Sequence, residues 1–207
     1  MTRELLDSFV SFNNLHLIEE SIEKGNGIFF ISGHISNWEL MAFSYAKVFN
    51  TKLNIITKPQ SNKLVNKKIK QYRERCGNKI IETGAPIKAI FEKISKNEII
   101  CFLVDQSANP IYSVYSEFFG QKVATFSGPF KIALKYNTEV LFCYIIRSQD
   151  YKYVVNIEKV DFSDLKGSSD ENLQLFTDRI NKNFERVISE NPEQWLWFHK
   201  RFKHIKN

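Results

Sequence analysis

Cysteine, glycine, proline and long apolar runs are all scarce in this chain of 207 residues. Cys76, Cys101 and Cys143 are odd in number, far apart and without CxxC spacing. That argues against a disulfide framework or a cysteine-based zinc site and favours a reducing setting. No stretch approaches the roughly 18 consecutive apolar residues that a membrane-crossing helix needs. The first dozen positions carry Glu4 and Asp7 among their apolar residues, so they do not read as a secretory signal peptide. There is no internal repeat, no low-complexity tract and no Pro/Gly-rich linker, so one continuous domain is expected over residues 1–207. It divides into an N-terminal helical segment (1–26), a core (27–190) and a basic, aromatic C-terminal segment (191–207).

What is present is a globular composition, 43% hydrophobic and 25% charged. The net charge of +6 suits an anionic partner: a phosphate-bearing small molecule, a membrane surface or a nucleic acid. No nucleic-acid-binding motif accompanies the charge, so a nucleic-acid partner is not expected.

Residues 3–24 read as mainly helical, with Leu5, Phe9 and Phe12 at helical spacing. Short buried strands are expected at Ile28–Ser32, Leu53–Thr57, Lys79–Glu82 and Ile99–Val104, with two more at Val140–Arg147 and Tyr153–Val160. Helices are expected between them, including Ser61–Cys76 with Leu64, Val65, Ile69 and Tyr72 inward. The segment from Asp105 to Thr125 reads as a loop of about twenty residues, a length that in a compact domain points to function. Leu173, Phe176, Ile180, Phe184 and Val187 mark an amphipathic helix. A short last helix after Pro192 would bear Trp195, Trp197 and Phe198. Strands alternating with helices predict an α/β fold, a central mostly parallel sheet flanked by helices. In such sheets ligands sit beyond the carboxyl ends of the strands, here after Ser32 and after Val104.

The segment Gly33-His34-Ile35-Ser36-Asn37-Trp38-Glu39 places a histidine just past a buried strand and a carboxylate on the helix that follows. Histidine is the natural general base near neutral pH. A carboxylate at its other ring nitrogen would fix the tautomer and stabilise the imidazolium. The same residues also read as a capping box, Ser36-x-x-Glu39, with His34 an ordinary loop residue. Both readings stand at this point.

Gly33-His34-x-x-Asn37-Trp38-Glu39-Leu40 resembles the HxxxxE motif of the bacterial lipid A late (lauroyl/myristoyl) acyltransferases, in the lysophospholipid acyltransferase superfamily. Lys58-Pro59 with Asn62, then Arg73 and Arg75 ahead of Gly77, is similar to that family's second block. Asp105-Gln106 is similar to its third. Phe118-Phe119-Gly120, Ala124-Thr125, Gly128-Pro129, Arg147 and the C-terminal run Trp195 to Lys203 follow in order. The resemblance implies a glycerolipid-acyltransferase-like fold. It also implies transfer of a fatty acyl group from acyl carrier protein or a CoA thioester to a hydroxyl of a glycolipid or lipid A-like acceptor. His34 would be the base and Glu39 its orienting partner. Asn37, Asn62, Arg73, Arg75, Asp105, Gln106 and Arg147 would contact substrate, without a metal, a cofactor or an acyl-enzyme. That family begins with a hydrophobic anchor that residues 1–12 do not supply, so peripheral attachment at the cytoplasmic face of the bacterial inner membrane is expected.

Arg75 and Arg147 would flank an apolar channel opening at His34, since arginine can bind phosphate bidentately. The basic stretch 58–75 could hold a lipid headgroup or the acidic surface of a carrier protein. The C-terminal run is read either as an interfacial segment, Lys206 included, or as a core-docked helix. Two other functions stay open: a hydrolase in which the same base activates water, and a non-catalytic basic lipid-binding module.

Overall fold

A computed structural model describes residues 2–49 and 51–205; Lys206 of the basic tail lies outside them. Among the described residues there are seven α-helices and nine strands. The strands are β1 (Val10–Asn13), β2 (Ile28–Ser32), β3 (Leu53–Thr57), β4 (Lys79–Glu82), β5 (Ile99–Leu103), β6 (Ser113–Phe118), β7 (Gln121–Phe126), β8 (Glu139–Arg147) and β9 (Tyr153–Lys159). The helices are α1 (Arg3–Asp7), α2 (His16–Lys24), α3 (Trp38–Phe49), α4 (Lys63–Glu74), α5 (Ile87–Ile94), α6 (Gly128–Tyr136) and α7 (Asp170–Glu190). Seven strands form one sheet in the order β1-β9-β8-β2-β5-β3-β4, and β6 and β7 form a separate hairpin. Every neighbouring pair in the large sheet is parallel except β8 with β9. This is the expected α/β domain with a mostly parallel sheet.

The central strands are apolar on both faces because both are covered. All five residues of β2 are buried. Phe29 and Ile31 pack toward α6 and α7 in one core, with Phe142, Phe176 and Phe184. Ile28 and Phe30 pack toward α3 in the other, with Met41, Tyr45, Leu53 and Ile157. Burial on two sides explains why these strands read as continuous hydrophobic runs rather than as alternating ones.

Four expectations are corrected. The segment 3–24 is not one helix: Val10–Asn13 is a strand paired in parallel with Tyr153–Asn156. Its helical stripe coincides with a period-two alternation, and pairing with a distant strand decides between them. The segment 105–125 is not structureless, because β6 and β7 pair from Ser113↔Phe126 to Phe118↔Gln121. Phe119 and Gly120 turn the chain with φ of 48° and 72°, the left-handed pair that a two-residue hairpin requires. Helix α4 does not bury its apolar stripe. Leu64 is 77% exposed, Val65 46% and Tyr72 64%, and no residue of α4 is buried. The expected last helix is replaced by a 3-10 turn, Pro192–Gln194, and a second one at Arg201–Lys203. Trp195 runs extended between them, bridging antiparallel to Ile35.

Candidate active site

His34 and Asp105 meet because the strands that deliver them are neighbours. Ser32 of β2 lies opposite Leu103 of β5, and the Val104 amide still bonds the Ser32 carbonyl at 3.0 Å. Two chains leaving side by side place His34 beside Asp105, at the carboxyl edge where parallel sheets bind ligands. The His34 backbone amide donates to Asp105 Oδ2 at 2.8 Å, and His34 Nδ1 lies 2.8 Å from Asp105 Oδ1. The Trp195 indole donates to Oδ2 at 3.0 Å. A β-carbon at position 33 would stand 2.6 Å from the Phe184 ring and 3.0 Å from Asp105 Cγ. Only glycine lets the strand exit come this close to the carboxylate.

Burial alone would push the Asp105 carboxyl up. The hydrogen bond and charge of His34, its backbone amide and the Trp195 indole outweigh that and hold it below the usual carboxylate value. An ionised Asp105 accepts, so Nδ1 of His34 carries the proton and Nε2 presents its lone pair. That nitrogen faces the Gln106 amide at 3.2 Å. Trp38 packs edge-on against the imidazole, ring centroids 4.9 Å apart.

Glu39 does not orient His34. Both its carboxylate oxygens are held by Arg73 of α4, through Nε at 3.1 and 3.0 Å and through Nη2. The first turn of α3 points Glu39 away from the ring and toward α4, while the buried end of β5 supplies the carboxylate instead. The capping box is not formed either. Ser36 sits at φ 49°, and Asn37 caps α3 by accepting from the Leu40 amide at 3.0 Å.

The remaining sequence candidates divide by location. Asn62 caps α4, accepting from the Leu64 and Val65 amides. Arg75 stacks on Tyr72 at 5.4 Å, facing a surface recess with Lys68. Arg147 stacks on Tyr151 at 4.5 Å in another recess, near Ser36 and Asn37. Neither arginine lines the apolar pocket bounded by Trp38, the ring that packs on His34. That pocket has Trp38, Glu39 and Arg73 at one end and extends under α3 past Phe30, Met41 and Tyr45 to Leu53 and Ile157; it is narrow, with a cavity volume of about 30 Å³. Cys101 and Cys143 line it, and burial pushes the Cys101 thiol up to about 12, so both are apolar wall rather than nucleophiles.

Three residues of the site had no signal in local spacing. Trp195 stands 90 positions from the carboxylate it bonds. Trp38 reads as one more helix aromatic. Arg201 is 1% exposed. It donates to the Ala124 carbonyl at 2.8 Å, the Gln106 carbonyl at 3.3 Å and the Thr125 hydroxyl, with its guanidinium 5.0 Å from the Phe118 ring centre. Burial brings its pKa down to about 10, against the opposite pull of Asp105, so it stays cationic at neutral pH. It pins the Gln106 backbone to the hairpin. Only the order of the C-terminal motif in the family resemblance pointed to these last residues.

A family model described as bacterial lipid A biosynthesis acyltransferase matches residues 1–204. Two curated relatives align over 149 residues at 29% identity: a lipid A biosynthesis palmitoleoyltransferase of Escherichia coli (strain K12) and a lipid A biosynthesis acyltransferase of Shigella flexneri. Each alignment covers 70% of this chain and 46% of the relative, so the chain spans about half the length of the curated relatives it matches.

Proposed function

Because the chain belongs to the bacterial lipid A biosynthesis acyltransferase family, we propose that it transfers a fatty acyl group from an acyl thioester to a hydroxyl of a glycolipid, with His34 as general base. The observation that carries this reading is the His34–Asp105 pair next to Trp38, which packs on the imidazole and lines an apolar pocket under α3. The acyl chain lies in the pocket with its thioester carbonyl beside Trp38. The acceptor hydroxyl takes the place of the Gln106 amide at His34 Nε2. His34 removes the hydroxyl proton as the oxygen attacks the carbonyl, and Asp105 stabilises the imidazolium. The tetrahedral intermediate collapses, the thiolate leaves and takes the proton back from His34, so no cofactor is consumed. The displaced Gln106 amide is near enough to donate to the oxyanion. Arg73 and Glu39 frame the same end of the pocket as Trp38, a positioning part for Glu39 in place of the orienting one.

The donor is acyl carrier protein or a CoA thioester, and the acceptor a lipid A-like glycolipid. The site of action is the cytoplasmic face of the bacterial inner membrane, with the protein held peripherally. None of the described helices is long and apolar enough to cross a membrane. The exposed Leu64, Val65 and Tyr72 of α4 lie beside Lys63, Lys67, Lys68 and Lys70, the pattern of a helix resting in an anionic headgroup layer. Incubation with radiolabelled acyl thioester, with and without acceptor lipid, tests the reading. Label in the acceptor supports it. Release of free fatty acid, with the acceptor unlabelled, means hydrolysis and overturns it.

The pocket reading has its own test at the inner end. Leu53 is 2% exposed and lines that end. Leu53→Phe is expected to exclude the last one or two methylenes of a long acyl chain. At roughly 0.8 kcal/mol per methylene, kcat/KM for long donors should fall roughly tenfold, with shorter donors unaffected. A uniform loss across chain lengths would place the donor chain elsewhere.

A further inference from the structure

A second recess adjoins the base from the C-terminal side and has no part in the reaction as described. It lies between Ser107–Pro110 and Phe198–His204, with about 1050 Å³ of unfilled space, mouth included. Its charged lining is Lys200 and Lys203, with His199 and His204 beside them, and no carboxylate lines it among the described residues. Two polar atoms of residues in its wall, Ser107 Oγ and His199 Nδ1, are covered from solvent just behind its surface and have no hydrogen-bond partner among the described residues. Such atoms are uncommon in native structures and call for a ligand or ordered water. Both can donate to an anion.

The lips of the recess are apolar and unpacked. On one side Pro110 leads into Ile111, 80% exposed, and Tyr112, 70% exposed; on the other stands Phe198, 97% exposed. Apolar side chains this exposed mark a surface that meets another apolar phase. A cationic floor between such lips suits an amphiphile whose charged group lies just below its hydrocarbon. The recess is fixed to the base by short links. Ser107 follows Gln106, whose amide faces His34 Nε2. The Leu196 amide donates to the His34 carbonyl at 3.0 Å, and Ala124 ties the hairpin to the His204 carbonyl at 3.1 Å.

We propose that this recess binds the phosphoryl group of a membrane lipid headgroup, with Lys200 and Lys203 neutralising it, Ser107 and His199 donating to it, and Ile111, Tyr112 and Phe198 seated among the surrounding acyl chains. It rests on the acyl-transfer reading only in taking that lipid to be the acceptor. Bound there, the headgroup stands one residue from the amide that marks the attacking hydroxyl, so the phosphoryl group sets which hydroxyl reaches His34.

The test is binding without turnover, on the full chain. Dihexanoyl phosphatidic acid, below its micelle concentration, is titrated calorimetrically into the wild type, into Lys200→Gln/Lys203→Gln and into Lys88→Gln/Lys96→Gln, whose lysines are exposed elsewhere on the surface. At about the strength of one membrane-surface contact per cation, the first double variant should bind roughly thirtyfold more weakly. The Lys88→Gln/Lys96→Gln variant should bind like the wild type. Phe198→Ser should keep the soluble lipid and lose binding to phosphatidylcholine vesicles doped with phosphatidic acid. Equal losses in both double variants would mean diffuse charge and overturn the site. Displacement of the lipid by CoA would assign the recess to the phosphates of a donor thioester and overturn the lipid assignment. Absence of acyl transfer with this binding pattern intact would remove the acceptor role and leave the phosphoryl site standing.

Discussion

His34→Ala is expected to lower the rate of acyl transfer by roughly 10²–10⁴ while leaving thioester binding close to that of the wild type. A hydroxyl is a poor nucleophile while it keeps its proton, and in the proposed reaction Nε2 takes it. The ring rests at the carboxyl edge of the sheet, with Nδ1 committed to Asp105 at 2.8 Å and Nε2 facing only the Gln106 amide. The apolar pocket proposed for the acyl chain is lined by α3, Arg73 and the sheet face beneath, not by the imidazole. Truncation therefore removes the base and leaves the binding surface. Single-turnover kinetics with labelled donor separates the two effects, because the loss should fall on the chemical step and not on KM. An equal loss in KM and rate would make His34 a binding residue.

Asp105→Asn is expected to cost nearly as much as removal of the histidine. Glu39→Gln should cost less than roughly tenfold and act on KM for the donor, since a single hydrogen bond to Arg73 survives. An asparagine keeps the volume and can still accept from the Trp195 indole and the His34 amide. It cannot stabilise an imidazolium, and its own N–H can turn the ring to the tautomer with Nε2 protonated, which is useless as a base. The effect should be the same across the neutral range. The folded-state pKa of Asp105 is depressed, so its stabilising contacts are present above the ordinary carboxylate value of 3.8 and are lost only as pH falls through the still lower folded value. If Glu39→Gln is instead the variant that loses the chemical step, the pairing at Nδ1 must change in the working complex.

His34 was legible in the sequence as a candidate base because it stands just past an apolar strand, ahead of a helix. Its partner was not. Glu39 is near in sequence and Asp105 is 71 positions away. What joins Asp105 to His34 is the parallel pairing of β2 with β5, a register that no local pattern contains. Strands buried on both faces were readable from their composition. By contrast, β1 was hidden because a helical spacing of Leu5, Phe9 and Phe12 overlays its alternation. The hairpin was hidden because Phe119-Gly120 stood inside a motif rather than reading as a turn. The apolar stripe of α4 was visible, but its direction was assigned by the general habit of helices facing the core. Here the stripe faces outward, as it would beneath a lipid layer.

The most direct measurement of the central claim is the nitrogen NMR spectrum of His34 in protein labelled with ¹⁵N-histidine, recorded with the imidazole neutral. The account gives Nδ1 as the protonated nitrogen, hydrogen-bonded to a carboxylate, and Nε2 as the bare one, with this pattern unchanged in Glu39→Gln and lost in Asp105→Asn. A proton on Nε2 in the wild type, or a pattern that survives Asp105→Asn and collapses in Glu39→Gln, would contradict it.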